Sequence, residues 1–311
     1  MVKMDFLDYI NEAERQPPRP ERRLLRDRIS LLNEFDDTDL LDRFLMNKHN
    51  SAEISCLLQT KLSCDSVRGT TVPPSLQVLI TLRFLACGTF HHETVDLCGV
   101  SESTVCKIVH KVFKAICELI KDYIKFPDAV DQTTYKVQFC EYGNFPGVIG
   151  CIGGCHISIM YPSTEDSKLC GNRKNWFSIN VQSVCTPTVQ IFQNSVLCAQ
   201  FEAGQHSGIL LGDSVRPEQQ CYSQAHIHTR GLVERMFGIW KNCFYCLRSA
   251  LHFEPRTCCI VIVAMAVLYD YLRQHGCPDS LTEYCNDPHV PMAEVVNNKT
   301  IHTYRDTSAL K

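Results

Sequence analysis

One stretch of the chain constrains its fold more than any other. Residues 145–159 read FPGVIGCIGGCHISI, in which a Pro-Gly pair is followed by an apolar run. A short apolar run that begins after a turn signal is typical of a buried strand. From His156 onward polar and apolar residues alternate, which is the period of a strand. The stretch therefore predicts a buried β-strand.

Length and charge limit the class of protein. A chain of 311 residues can form one large domain or two modest ones. Its net charge of −3 means that binding to nucleic acid would need a local basic patch. The longest apolar run, residues 258–269, is about one core helix long and shorter than the roughly 18 residues of a membrane span. We therefore expect no membrane partner.

The cysteines indicate a reducing compartment. The chain has 19 of them, scattered mostly singly through apolar segments as buried thiols are, and no signal-peptide core at its start. Cys243 and Cys246 form a CxxC pair, but tetrahedral zinc needs four ligands and no second CxxC follows. The pair is interpreted either as core thiols or as half of a zinc site. We expect the protein in the nucleus, the cytoplasm or both.

Residues 1–35 are predicted to be a charged, helix-prone arm broken at residues 16–20. This arm contains a local basic run at Arg15, Arg19, Arg22, Arg23, Arg26 and Arg28. Such a run is typical either of a solvated helix face or of an arm that contacts phosphates.

Residues 36–125 are predicted to be a helical domain that contains a helix-turn-helix at about 90–117. A short helix is followed by a Cys98-Gly99-Val100 turn and by a second helix capped by Ser101. The inward positions of the second helix are Val105, Ile108, Val109, Val112 and Ile116. Lysines at 107, 111 and 114 share another face, because their spacing is i, i+4, i+7.

This second helix suggests a DNA contact. Placed in a major groove, it would bring its first residues near base edges and its lysines near phosphates. The residues in question are Ser101, Glu102, Ser103, Thr104, Lys107, Lys111 and Lys114. The alternative is an ordinary αα-hairpin with a hydrated lysine face.

The rest of the chain is divided into a linker, a core and a tail. Residues 126–147 contain Pro127, Gly143 and Pro146, so we expect an irregular linker there. Residues 148–276 are predicted to form the second domain. Residues 277–311 are polar and predict a tail without a core of its own.

Two acidic residues in the second domain are candidate site residues. Residues 209–214 read ILLGDS, an apolar strand that ends in Asp213. Residues 230–241 predict a helix whose buried stripe is Val233, Met236, Phe237 and Trp240. Glu234 lies off that stripe, one turn after Arg230. The two acids are either metal ligands or, respectively, a loop-end residue and half of a salt bridge.

Taken together, these motifs resemble the Harbinger transposase-derived nucleases of the DDE superfamily. The matching segments, within residues 36–276, are Val148-Ile-Gly150 with His156, GVSESTV (99–105), NRK (172–174), S-x-N (178–180), QFEAG (200–204), LLGDS (210–214) and RGLVERMFGIWK (230–241).

The resemblance implies an α+β fold, with an all-α N-terminal part that carries a helix-turn-helix and then an RNase H-like mixed-sheet nuclease core. It also implies hydrolysis of DNA with Mg²⁺ or Mn²⁺, a Myb-like DNA-binding partner protein, and Asp213 and Glu234 as catalytic and metal-binding residues.

The chain departs from this family at four places, one of which is the interval of only 21 positions between Asp213 and Glu234, where the family has a longer, Pro-rich insert. The first catalytic Asp of the family is replaced by Gly153. The segment 180–191 is too short for the family's strand pair, and Thr188 stands at the acidic position of the following turn, so we expect a truncated core with an unpaired edge. The closing helix has Leu268-Tyr-Asp270 where the family has LHN.

The loss at Gly153 matters for chemistry. A carboxylate that bridges two divalent ions offsets their repulsion, and without it the second ion should not stay bound. His156 lies three positions further on, so it points to the opposite face of a regular strand and cannot easily replace the lost ligand. We expect little or no nuclease activity, with at most a weak single-metal site at Asp213 and Glu234. The alternative function is a non-catalytic DNA-binding or protein-binding derivative.

Overall fold

The computed structural model describes residues 34–63, 72–88, 100–162, 170–172, 176–192, 201, 203–212 and 223–277. Several predicted features fall outside these ranges: nearly all of the N-terminal arm, residues 90–99 of the helix-turn-helix, Asp213, and the tail beyond Cys277.

The first half of the described chain is helical. Its helices are α1 (Asp37–Phe44), α2 (Lys48–Leu57), α3 (Gln59–Leu62), α4 (Pro74–Cys87), α5 (Glu102–Cys117) and α6 (Ile120–Tyr123). Side-chain caps explain several of the starts: Asp36 accepts from the Asp39 amide at 2.8 Å, and Ser101 caps α5. Gly88 ends α4 in the left-handed conformation that glycine adopts without strain.

The prediction of an irregular linker between the two halves is wrong for residues 129–143. Helix α7 (Ala129–Gly143) occupies them. The carboxylate of Asp128 accepts from the Val130 and Asp131 amides and so caps the helix, and Asn144 ends it with a left-handed backbone. The Pro and Gly residues that suggested a loop therefore mark the ends of a helix.

The second half contains a four-stranded mixed sheet. Its strands are β1 (Val148–Ser158), β2 (Ser178–Cys185), β3 (Ile191–Phe192) and β4 (Ile209–Leu211), in the order β3-β2-β1-β4. β1 pairs antiparallel with β2 and parallel with β4. The predicted buried strand is confirmed as β1, which is flanked on both sides.

The short segment after Asn180 still forms a strand pair, contrary to our expectation that one would be missing. β2 and β3 are antiparallel and are joined by a five-residue turn. Inside it the Thr186 hydroxyl accepts from the Gln190 amide at 3.0 Å, and Val189 has a φ of 65°. The truncation therefore shortens the hairpin without removing it.

Two long helices complete the described chain. Helix α8 (Ser223–Cys243) packs on β1 and β2, and a 3-10 turn (Tyr245–Leu247) leads to helix α9 (Pro255–Gln274), which packs on α5 and α6. The predicted stripe of α8 is confirmed, since Val233, Met236, Phe237 and Trp240 are all buried. α9 is long and apolar enough to cross a membrane by composition, but 11 of its side chains are buried in the protein core.

Both halves share one hydrophobic core. A single cluster of buried side chains runs from Leu40 in α1 to Leu272 in α9 and includes residues of β1, β2 and α8. A second, smaller cluster of Ile149, Val184 and Leu210 lies against Tyr135 of α7. The α+β class is confirmed, while the division into a helical and a nuclease domain stays a prediction.

Candidate functional site

The position of the missing acid is closed. Gly153 is buried on the face of β1 that α8 covers. A Cβ added there would lie 2.9 Å from both methyl groups of Val233 and 3.5 Å from Cε2 of Phe237. Strand and helix approach more closely here than a side chain at this position allows, so an aspartate would fit only if α8 moved.

Glu234, the next residue on α8, forms an ion pair. Its Oε1 lies 2.8 Å from Nη1 of Arg230, one turn earlier. The Glu234 side chain is 35% exposed, so this pair lies at the rim of the seam between α8 and β1. The salt bridge that was one of our two interpretations of Glu234 is present. Such a helical pair contributes about 0.3–0.5 kcal/mol.

Asp213 lies outside the described residues, so the proximity of its side chain to Glu234 stays a prediction. β4 ends at Leu211, which pairs with Cys151 of β1. In sequence, Asp213 and Gly153 each follow that pair by two residues.

The described residues do not fit a two-metal site. In the ranges that the structure covers, no three His, Cys, Asp or Glu side chains come together as a metal cluster. Gly153 offers no ligand, and Val233 occupies the space that one would need. No metal-dependent step can therefore be assigned to these residues.

The CxxC pair lies partly in the core. Cys246 is buried, its thiol lies 3.4 Å from the sulfur of Met265, and burial raises its pKa well above the usual range. A thiol with a raised pKa is a poor metal ligand, because zinc binds the thiolate. Together with the lack of a nearby cluster in the part of the chain that the structure covers, this favours the core interpretation.

Four polar residues from separate motifs converge at the far end of β1. Nδ1 of His156 lies 3.0 Å from the Ser178 hydroxyl, to which Asn172 also donates at 3.2 Å. Lys241 donates to the His156 carbonyl at 3.1 Å. Burial, with a smaller effect from Lys241, lowers the pKa of His156. His156 is therefore tied to β2 and does not replace the missing ligand at Gly153.

This network was missed by sequence reasoning. The signal was present, because each of its members is a polar residue inside a segment that resembles the family. Only the pairing of β1 with β2, which sets Ser158 against Ser178, brings the segments together.

A buried acid that the sequence analysis left without a role holds the hairpin in place. Oδ1 of Asp270 accepts from the Ile191 amide at 2.8 Å, and among the described residues Oδ2 has no partner. The Tyr269 hydroxyl donates to the Val189 carbonyl at 2.9 Å, and Arg273 donates to the Thr188 carbonyl at 3.1 Å. Burial raises the pKa of Asp270 well above its usual range.

The predicted DNA-contacting helix is present as α5. Its five predicted inward residues are buried. Ser101 caps the helix, and its hydroxyl lies 2.8 Å from that of Thr104 and 3.2 Å from that of Ser103. Lys107 and Lys114 are exposed, whereas Lys111 is partly buried and donates to the Leu62 carbonyl at 2.7 Å.

Comparisons with known proteins agree with the motifs. A family described as "DDE superfamily endonuclease" matches residues 198–270, which include Asp213 and Glu234. The chain is 29% identical to the human and cattle proteins named "Putative nuclease HARBI1" over 286 positions, covering 79% of this chain and 82% of the relative.

A more distant similarity is shorter. Over 120 residues, the chain is 29% identical to the Arabidopsis thaliana protein named "Antagonist of like heterochromatin protein 1". The matched segment covers 38% of this chain and 30% of the relative. No solved structure matches the chain.

Proposed function

Because the chain belongs to the Harbinger transposase-derived nuclease family, we propose that it is a degenerate member with little or no DNA-cleaving activity. The observation that carries this proposal is the closed position at Gly153, where Val233 stands in place of a metal ligand.

The arrangement of the core supports an RNase H-like fold. In that fold the first acid lies on the first strand, the second at the end of a later strand and the third on a following helix. Here β1 is internal, β4 runs parallel beside it, and α8 carries Glu234 across the same face as Gly153. This arrangement supports the proposal of a core that keeps the frame of a metal-dependent nuclease and lacks one of its three acids.

The energetic effect of that loss is large. A carboxylate between two divalent ions, Mg²⁺ or Mn²⁺ in this family, stabilises developing charge in the transition state by several kcal/mol. Each 1.36 kcal/mol is about tenfold in rate, so a loss of several kcal/mol lowers the rate by orders of magnitude. The acids that remain, Asp213 and Glu234, would support at most a weak single-metal site.

A plasmid-nicking assay tests the proposal. Supercoiled DNA is incubated with the full chain or with its Glu234→Gln variant, in Mg²⁺ and separately in Mn²⁺. We expect the two proteins to give the same background. Metal-dependent nicking by the unchanged chain that disappears in Glu234→Gln would overturn the proposal.

Restoring the acid tests the role of Val233. We expect Gly153→Asp alone to remain inactive, because its side chain has no room beside Val233. Gly153→Asp combined with Val233→Ala provides that room and should show the greater metal-dependent nicking of the two. Equal activity of the single and double variants would mean that α8 moves aside freely, and would refute the closed seam.

A second candidate function is DNA binding without cleavage. The observation that favours it is the exposure of Lys107 and Lys114 on one face of α5. By family resemblance, a Myb-like DNA-binding protein would be the partner and the nucleus or cytoplasm the location. Co-precipitation of the tagged chain with such a protein, and fluorescence imaging of its location, test those two points; no retained partner and an extracellular location would contradict them.

A further inference from the structure

We propose that a lysine-lined pocket on α5 binds consecutive phosphates of double-stranded DNA without reading base sequence. This inference deepens the DNA-binding function proposed above and rests on it. It does not depend on whether the nuclease core cleaves DNA.

The pocket lies along one side of α5. It has a volume of about 360 Å³ and is lined by Cys106, Lys107, His110, Lys111 and Lys114. Three of these five residues are cations at pH 7, and none is a carboxylate. A concave surface with charges of one sign attracts ligands of the opposite sign, so the pocket fits an anion.

The lysines are not neutralised by neighbouring acids in the described part of the chain. Glu118 lies four residues after Lys114, where a helical ion pair could form, but its carboxylate pairs instead with Lys61 at 2.8 Å. No ion pair joins a described acid to Lys107, Lys111 or Lys114. Among the described residues, no acid competes with a ligand for the positive charge of the pocket.

The three lysines have different roles. The Lys111 ammonium is held by its bond to the Leu62 carbonyl, so it is a fixed charge with two donors left. Lys107 and Lys114 are exposed, so their side chains can change conformation to reach a ligand. The two lysines are seven positions apart, which is about 10 Å along the helix axis, whereas the phosphates of one DNA strand follow each other every 3.4 Å or so along the DNA axis. The pair therefore fits several phosphates better than a single one.

The start of α5 does not favour base reading. The Ser101 hydroxyl lies within hydrogen-bond distance of the hydroxyls of Ser103 and Thr104, and it also accepts from the Thr104 amide. These groups serve the cap of the helix. Contacts to phosphates position a protein on DNA but carry no sequence information.

Fluorescence anisotropy tests the proposal with the full chain in EDTA, where no metal-dependent cleavage occurs. Two labelled 20-base-pair duplexes of unrelated sequence are titrated between 50 and 200 mM KCl. The variant is Lys107→Gln with Lys114→Gln. The matched control is Lys121→Gln with Lys125→Gln, which removes the same charge from exposed lysines outside the pocket. Thermal unfolding of each protein checks that it is folded.

We expect similar binding to both duplexes and a selective loss in the pocket variant. Each phosphate contact contributes about 0.9 to the slope of log K against log salt, so removing two should reduce the slope by about 2. At 100 mM KCl the affinity should fall about tenfold or more, while the control changes much less. Unchanged affinity in the pocket variant, or equal loss in both pairs, would overturn the site.

Two further measurements identify the kind of ligand that the pocket binds. A preference of tenfold or more for one duplex would contradict binding without base reading. Inorganic phosphate at matched ionic strength should not displace DNA better than chloride does. If it does so at low millimolar concentration, the pocket is a small-anion site and the assignment to DNA is wrong. Because the titrations are done in EDTA, these outcomes do not depend on whether the chain cleaves DNA.

Discussion

The seam between β1 and α8 and the lysine face of α5 show what each kind of contact with DNA requires. In the seam, the place of the missing acid is buried and filled by Val233. On α5, Lys107 and Lys114 remain in water beside an open pocket. Cleavage depends on a ligand at one position, so one replacement can abolish it. Attraction to phosphates is shared among several charges, so it survives individual changes.

The tight seam predicts the largest effect. Gly153→Ala should destabilise the fold by about 1–3 kcal/mol, because its methyl group would overlap Val233. Gly154 is the matched control: it is exposed, and an added Cβ would meet Asn180 and Val181 at ordinary distances of 3.4 and 3.6 Å. Gly154→Ala should stay within about 0.5 kcal/mol. Urea unfolding measures both, and equal losses would refute the tight seam.

The buried carboxylate of Asp270 predicts the next effect. Because burial raises its pKa in the fold, stability should fall as pH rises from about 4, the ordinary value, towards the folded pKa. Arg273 opposes this shift, and Tyr135, whose own pKa Asp270 helps to raise, also faces the site.

Asp270→Asn keeps an acceptor for the Ile191 amide and cannot ionise. Asparagine is also the residue of the family motif at this position. The variant should be more stable by about 1–2 kcal/mol at pH 7, with an advantage that shrinks towards pH 4. Urea unfolding at four pH values measures this. An advantage that is constant with pH would show that Asp270 does not titrate over this range.

Lys111, which lines the pocket on α5, predicts a smaller effect. Lys111→Met keeps the side-chain stem but loses the bond to the Leu62 carbonyl, which Gln77 also contacts at 3.3 Å. The expected loss is about 1 kcal/mol. The exposed Lys107→Met should change stability by less than about 0.5 kcal/mol. If both variants unfold at the same urea concentration, Lys111 is not anchored.

The outer side of α8 predicts the smallest effect. Gly238 is exposed in the middle of the helix, and an added Cβ would meet nothing within 4 Å. Gly238→Ala should stabilise the fold by about 0.5–1 kcal/mol, because alanine is the better helix former. A calorimetric Tm that falls instead would show that this side of α8 is also closely packed.

The helices that line both regions could be predicted from sequence. The 3.6-residue periods of α5 and α8 identify their buried residues, and these helices carry strong apolar stripes. The period does not specify how closely a helix approaches a strand. The contact between Gly153 and Val233 depends on the packing of the whole sheet, so only the structure reveals it.

The errors have local causes. Pro127 and Gly143 predict an irregular linker, but the Asp128 carboxylate caps the start of helix α7 and Gly143 is its last residue. The length of segment 180–191 predicts that the family's strand pair is missing, yet the five residues between Cys185 and Ile191 are enough to close the β2–β3 hairpin. The turn is held by the Thr186 hydroxyl, which accepts from the Gln190 amide, and by α9 side chains that donate to the Thr188 and Val189 carbonyls.

The opposed cysteines of β1 and β2 have a practical consequence. Cys151 faces Cys185 directly across the strand pair, and both thiols are buried. The neighbouring Cys185 thiol and burial raise the pKa of Cys151, so the reactive thiolate is scarce even where a reagent could enter. Because the Cys151 thiol donates to the Thr229 carbonyl on α8, alkylation requires this part of the core to open. The rate of that alkylation, followed by mass spectrometry, would report how often the core around the two cysteines opens.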